Sequence, residues 1–335
     1  MSNAKSTERT YSPTPINFYT LYHFSLLFAK IIRVKLVQFW RPNVGYRVGL
    51  VRGENVIDIS MPDAGLKTTN DFIEHAAVGH FSLAEFIESQ LNAGPRAVYP
   101  LRELDVPRDP FVAHLALPII PPEVWAAGVT YRSSADFHDE AVGDSIYTRA
   151  ANAERARIFF KATASRCAGP NAPIGIRRDS TFTAPEPELA LVLGHRGDIV
   201  AYTIANDVSA RDIGRENPLY LPQAKTYRGA CALGPSLITP DELSDPYNIE
   251  IRCRIERAGV MIFDQAANTS QMTRRFEDLC EYLLRDNPVP GGSVLCTGTG
   301  IIVPEDCALQ DGDVVEIEIA PIGVLRNPVK RWGTE

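Results

Sequence analysis

EPELALVLGHRGDIVAYTIANDVSARD, residues 186–212, decides how the rest of this sequence is read. It places Glu186 and Glu188 at the entry of one apolar run and the pair Asn206 and Asp207 at the end of the next. Residues two apart on a strand point to the same face, so the glutamates share one. Between the runs, His195-Arg196-Gly197-Asp198 has the composition of a tight turn, with Arg196 and Gly197 as its two loop residues. In that register Glu186 faces Asp207 directly and Glu188 lies on the diagonal, on the same face. A slip of one residue would send Asp207 to the other side. Like charges opposite one another destabilise a sheet, so three carboxylates on one face call for a cation. An all-oxygen set favours Mg²⁺, Mn²⁺ or Ca²⁺ over zinc, and three protein ligands leave positions open for water or substrate. The bland alternative is that all three are solvated charges at a strand entry, with Asp207 capping a turn. The shared face and the Gly-rich, polar sequence downstream favour the metal.

Composition narrows the rest. The chain has 335 residues, 45 % of them hydrophobic, enough for one large domain or two ordinary ones. A formal charge of −7, with no run of Lys or Arg longer than a pair, leaves no footprint for nucleic acid or an anionic membrane. Cys167, Cys231, Cys253, Cys280, Cys296 and Cys307 show no spacing for a zinc site or disulfide framework, and read as reduced thiols of a cytoplasmic protein. The stretch NFYTLYHFSLLFAK, Asn17 to Lys30, is interrupted by His23 and falls short of the roughly 20 apolar residues of a spanning helix. Residues 1–33 are expected to be an extension outside the core.

From Val34 the pattern becomes short strands, VKLVQFW, YRVGLV and NVIDIS, followed by apolar residues at helical spacing from Asp71 to Asn92. These form a small β-rich N-terminal domain, residues 34–110, ahead of a catalytic domain, residues 111–335. In the latter GVTYRSSADFHDEAV enters a polar stretch, Asp136 to Ala156, expected to be a weakly docked helix or lid. Beyond it strand signals recur at RIFFKAT, ELALVL, AYTIANDVS, NIEIRCRIE, VLCTGTG and VVEIEIA. One helix, Thr273 to Arg285, has its apolar stripe at Phe276, Leu279, Cys280 and Leu283. The expected class is α+β, mainly β.

The ordered set EPE, NDVSARD, PQAKTY, GSVLCTGTG and GDVVEIEIAPIGVLRNPV resembles the fumarylacetoacetate hydrolase family over roughly residues 120–330. GVTYRSS, RIFFKAT, RENPLYLPQAK and TGTGIIVP look most like its branch of 2-keto-3-deoxy sugar-acid dehydratases. The resemblance implies a mixed β-roll domain, a homodimer, and Mg²⁺ (or Mn²⁺) held by Glu186, Glu188 and Asp207. It makes Lys225 the active-site lysine and Lys161 a second catalytic lysine, and puts Thr299, Gly298, Thr130 and Tyr131 against the substrate. Hydrolytic members carry G-x-N-Y-x-x-H-x-x-E, whose His and Glu activate water. Here Ser134 and Phe137 stand at those positions, which weakens hydrolysis and suits elimination.

The chemistry expected is the dehydration of a small 2-oxo acid. Mg²⁺ chelated by its carboxylate and keto oxygens would stabilise the enolate left when C3 loses a proton, and a C4 hydroxyl would then depart as water. Lys225 adds positive charge there, or moves a proton if its pKa is lowered. Glu140, on the lid-like stretch, is the candidate general base or acid, with His138 nearby. Arg211 and Asp212 are expected to pair with each other, and His195 to sit in the turn. The alternatives are a hydrolase or tautomerase of an acylpyruvate-type diketo acid, and a non-catalytic metal-binding relative.

Overall fold

A computed structural model describes residues 34–91, 96–134 and 146–333. The extension at 1–33 lies outside the described residues, as do residues 135–145, including His138 and Glu140. No helix among the described residues is long and apolar enough to cross a membrane.

Two sheets carry the architecture, which is α+β and mainly strand. The larger has twelve strands, with a main path Val98–Pro100, Asn55–Asp58, Gly45–Arg52, Lys35–Arg41, Cys231–Ile238, Ile199–Asp207, Pro187–Leu193, Val294–Cys296, Val124–Gly128 and Arg157–Ala162. Leu36 pairs with Leu237, so this sheet continues across the boundary expected near residue 110. The smaller sheet orders Val260–Asn268, Glu250–Arg257, Val314–Ile319, Gly323–Arg331 and Ile174–Ile176. Its strands Glu250–Arg257 and Val314–Ile319 alternate buried and half-buried residues along most of their length, as strands of a one-sided sheet do. Every residue of Pro187–Leu193, by contrast, is buried, because both faces of the larger sheet are covered there.

The two faces of that central strand do different work. Leu189, Leu191 and Leu193 join Tyr202, Ile204, Ile251, Cys253, Ile317 and Leu325 in one core cluster between the sheets. Burying each such aliphatic side chain contributes about 1.5–3 kcal/mol. Glu186, Glu188 and Ala190, of the opposite parity, face away from this core. The helix Phe276–Leu284 buries Phe276, Leu279, Cys280 and Leu283, the stripe its spacing predicts.

Three local expectations are corrected. The apolar stretch from Asp71 is two helices, Thr69–Val78 and Leu83–Leu91, and Phe81 in the break between them is 52 % exposed. Cys231–Ile238, absent from the expected strands, sits at the centre of the larger sheet despite Gly234 and Pro235; a register shift opposite them absorbs the missing ladder bond. The turn after Leu193 also differs. Gly194 N–H bonds to Asp198 O (2.7 Å), leaving three residues in the loop, with Gly197 at φ +78° where an L side chain is disfavoured. A bulge after Val192 then restores the expected pairing, so Pro187 faces Asn206 and Glu188 faces Ala205. The register is the expected one, reached by a longer turn and a compensating bulge.

Candidate metal centre and active site

At the open end of that hairpin, Asp207 N–H donates to Glu186 O (2.9 Å), which places Glu186 opposite Asp207. The Asn206 side chain, fully buried, accepts from Glu186 N–H (3.1 Å) and holds the strand entry in place. Glu186, Glu188 and Asp207 each offer a carboxylate oxygen, all within 4.8 Å of one another. All three are buried, which removes the reading in which they are solvated surface charges. An all-oxygen, buried, close-spaced set fits a hard divalent cation such as Mg²⁺.

Basic side chains reach these carboxylates from three directions. The strand Arg157–Ala162 turns Lys161 inward, where it is fully buried; its Nζ lies 2.5 Å from Asp207 Oδ1 and donates to the carbonyls of Val208 (2.9 Å) and Lys225 (2.6 Å). Lys225 ends the short helix Leu221–Lys225 and donates to Glu186 Oε2 and Asp207 Oδ2, both at 2.7 Å. Arg211 opens the helix Arg211–Glu216, with Nε 3.5 Å from Glu186 Oε1 and one terminal nitrogen donating to Val303 O (2.7 Å). The expected pair of Arg211 with Asp212 is therefore wrong. Asp212 instead accepts from Ser180 Oγ (2.8 Å) and Thr181 N–H (2.7 Å), because adjacent residues of a helix do not face each other.

Electrostatics separates the roles. Burial, reinforced by Asp207 and Glu186, pushes the Glu188 carboxyl well above its ordinary value. Burial opposes the charge on Lys225, but Asp207 and Glu186 overcome it and leave the ammonium above its ordinary pKa. In the metal-free site Lys225 is therefore held charged by these carboxylates.

The trio opens into a cleft whose lining includes Ser134, Arg157, Phe159, Gly298, Thr299 and Lys225. Arg157, Phe159 and Arg211 are site residues the sequence reading did not assign to the cleft; for the first two the strand parity shared with Lys161 was the available signal. Thr130 and Tyr131 lie behind the wall rather than on it. The Thr130 hydroxyl donates to Thr297 O (2.7 Å), and Tyr131 is 1 % exposed. His195 stays in the turn. Gly298 donates its N–H to Glu188 Oε2 (2.5 Å) at φ +96°, and a Cβ there would lie 2.0 Å from Thr130 Oγ1. Gly298→Ala is expected to cost at least tenfold in kcat/KM and to lower Tm, since it both strains the backbone and displaces Glu188. Steady-state kinetics and calorimetric melting check this.

Residues 123–330 match the family model described as fumarylacetoacetate (FAA) hydrolase C-terminal. The chain is 48 % identical over 219 residues to a 2-dehydro-3-deoxy-D-arabinonate dehydratase of Saccharolobus solfataricus, covering 64 % of this chain and 74 % of that one. It is 41 % identical over 285 residues to a probable 2-keto-3-deoxyxylonate dehydratase of Haloferax volcanii, covering 84 % and 95 %. Among solved structures, 2-keto-3-deoxy-D-arabinonate dehydratase complexed with magnesium and 2,5-dioxopentanoate matches with a TM-score of 0.75 at 37 % identity, over 89 % of this chain and 99 % of that one.

Proposed function

Because this chain belongs to the fumarylacetoacetate hydrolase family, we propose that its buried Glu–Glu–Asp site serves a magnesium-dependent dehydratase of a 2-keto-3-deoxy sugar acid. The favoured reaction is 2-keto-3-deoxy-arabinonate to 2,5-dioxopentanoate. The observation that carries this is the likeness, over most of the chain, to a dehydratase holding magnesium and that product. Ser134 on the cleft wall, in place of the histidine of the hydrolytic pattern, points the same way.

Glu186, Glu188 and Asp207 would hold the Mg²⁺, which when bound supplies Lewis-acid polarisation of a 2-oxo acid. The protein's own residues do the rest. Lys161 fixes Asp207 from behind, Arg211 steadies Glu186, and the Gly298 N–H orients Glu188. Lys225, charged, stabilises negative charge that develops on the substrate's keto oxygen. The loop at Gly298 and Thr299 takes the substrate carboxylate. C3 gives up a proton and C4 its hydroxyl, together one water, and tautomerisation turns the C5 carbinol into the aldehyde. Glu140, outside the described residues, is the proposed proton acceptor. A homodimer is proposed on the resemblance, a cytoplasmic location on the unpaired cysteine pattern, and a division into modules at 34–110 and 111–335 on the change in strand pattern along the sequence.

The test is turnover of a panel of 2-keto-3-deoxy pentonates with Mg²⁺, read through an aldehyde dehydrogenase. Semialdehyde is expected from at least one pentonate and none after chelation. Pyruvate released from an acylpyruvate, with no semialdehyde from any sugar acid, would replace this reading with a hydrolase.

A further inference from the structure

The charge balance around the carboxylates has a consequence for how the metal is held. Glu186, Glu188 and Asp207 face Lys161, Lys225 and Arg211, and all six are at most 9 % exposed. The contacts are direct, with Lys225 2.7 Å from both Glu186 and Asp207, Lys161 2.5 Å from Asp207, and Arg211 3.5 Å from Glu186. Among the described residues, and with all three carboxylates ionised as ligation of a cation requires, three acids against three bases leave this buried set with no net negative charge to offset a metal.

A divalent cation at the trio would take the set to +2, an uncompensated buried charge of the kind that protein interiors disfavour. Two negative charges beside the metal restore the balance. A 2-oxo acid brings one as its carboxylate and develops the second on its keto oxygen as C3 loses its proton. The site is one charge short of balance with the bound substrate and balanced only as the reaction proceeds, which is the direction that lowers a barrier.

We propose that Lys161, Lys225 and Arg211 couple metal binding to a dianionic ligand, so that this protein holds Mg²⁺ weakly alone and tightly together with a dianion shaped like a 2-oxo acid. The proposal rests on the dehydratase reading only for the shape of that ligand.

Calorimetric titration of the metal-stripped full chain with Mg²⁺ tests it, in buffer, in saturating oxalate, and in saturating oxamate, which has the same bidentate shape but a single charge. Concentrations are corrected for the complexes that form in solution. Oxalate is expected to tighten Mg²⁺ binding at least about tenfold, and Mg²⁺ to tighten oxalate by the same factor, since coupling is reciprocal. Oxamate should change Mg²⁺ affinity by less than about threefold. Lys225→Met, with one positive charge fewer, should bind Mg²⁺ alone more tightly than wild type and lose most of the oxalate coupling. Equal Mg²⁺ affinity in all three solutions, or oxamate matching oxalate, overturns the proposal. Coupling without turnover of any sugar acid would instead sink the dehydratase reading alone, and turnover without coupling this inference alone.

Discussion

Glu188→Gln is expected to abolish Mg²⁺-induced stabilisation and to lower kcat/KM for the proposed sugar-acid substrate about a thousandfold or more. The side chain is 1 % exposed and held by the Gly298 N–H, so the amide fits the same space and the loss falls on charge rather than packing. A metal's stabilisation of developing charge amounts to several kcal/mol, and about 1.4 kcal/mol is a factor of ten. Thermal melting with and without Mg²⁺ supplies a second readout. The Glu188 carboxyl titrates well above its ordinary 4.5, chiefly through burial. A folded-state value above the unfolded one means the folded protein binds the extra proton. Metal-free wild type should therefore lose stability as pH rises from about 4.5 toward the raised value. Glu188→Gln should flatten that slope. A variant that keeps both its Mg²⁺ shift and its activity would remove Glu188 from the metal site.

Lys161→Met should be the most destabilising single change near the site. The ammonium is fully buried, and its removal leaves Asp207 without its 2.5 Å counter-charge and strips a donor from the carbonyls of Val208 and Lys225. Breaking a buried pair from one side costs about 3–5 kcal/mol, roughly 4–7 °C in Tm for a chain of this size. Lys161→Arg is not expected to rescue it, because a planar guanidinium cannot occupy a socket shaped for one nitrogen with three acceptors. A variant melting within about 2 °C of wild type would show that Asp207 is compensated from elsewhere, and the Lys225 contact would be the place to look.

Much of this was legible in the chain before its structure. The spacing of Glu186 and Glu188, and their pairing with Asp207, follow from the period of a strand and from a hairpin whose ends must meet. The helix at Phe276–Leu284 was legible for the same kind of reason, a local period with one apolar stripe. What escaped is non-local. The Cys231–Ile238 strand breaks the local rule against proline in a sheet interior, and only a register shift on its neighbour makes room for it. The turn after Leu193 was misjudged by one residue and the error cancelled, because the buried parity of Leu189, Leu191 and Leu193 constrains the register more strongly than the loop does.

The basic half of the site divides the two sources of information most clearly. Lys225 and Lys161 were named from motifs, but their positions and charge were not. Arg211 was assigned to the wrong carboxylate. Which carboxylates share a face, the strand-rich class and the family resemblance could all be read along the chain, since each depends on spacing within a segment or on motif order. The convergence of three basic side chains from distant segments on those carboxylates, and the charge they hold on Lys225 in the metal-free site, came from folding, because burial and the distance between charges are set when Arg157–Ala162, Arg211–Glu216 and Leu221–Lys225 pack around one strand end.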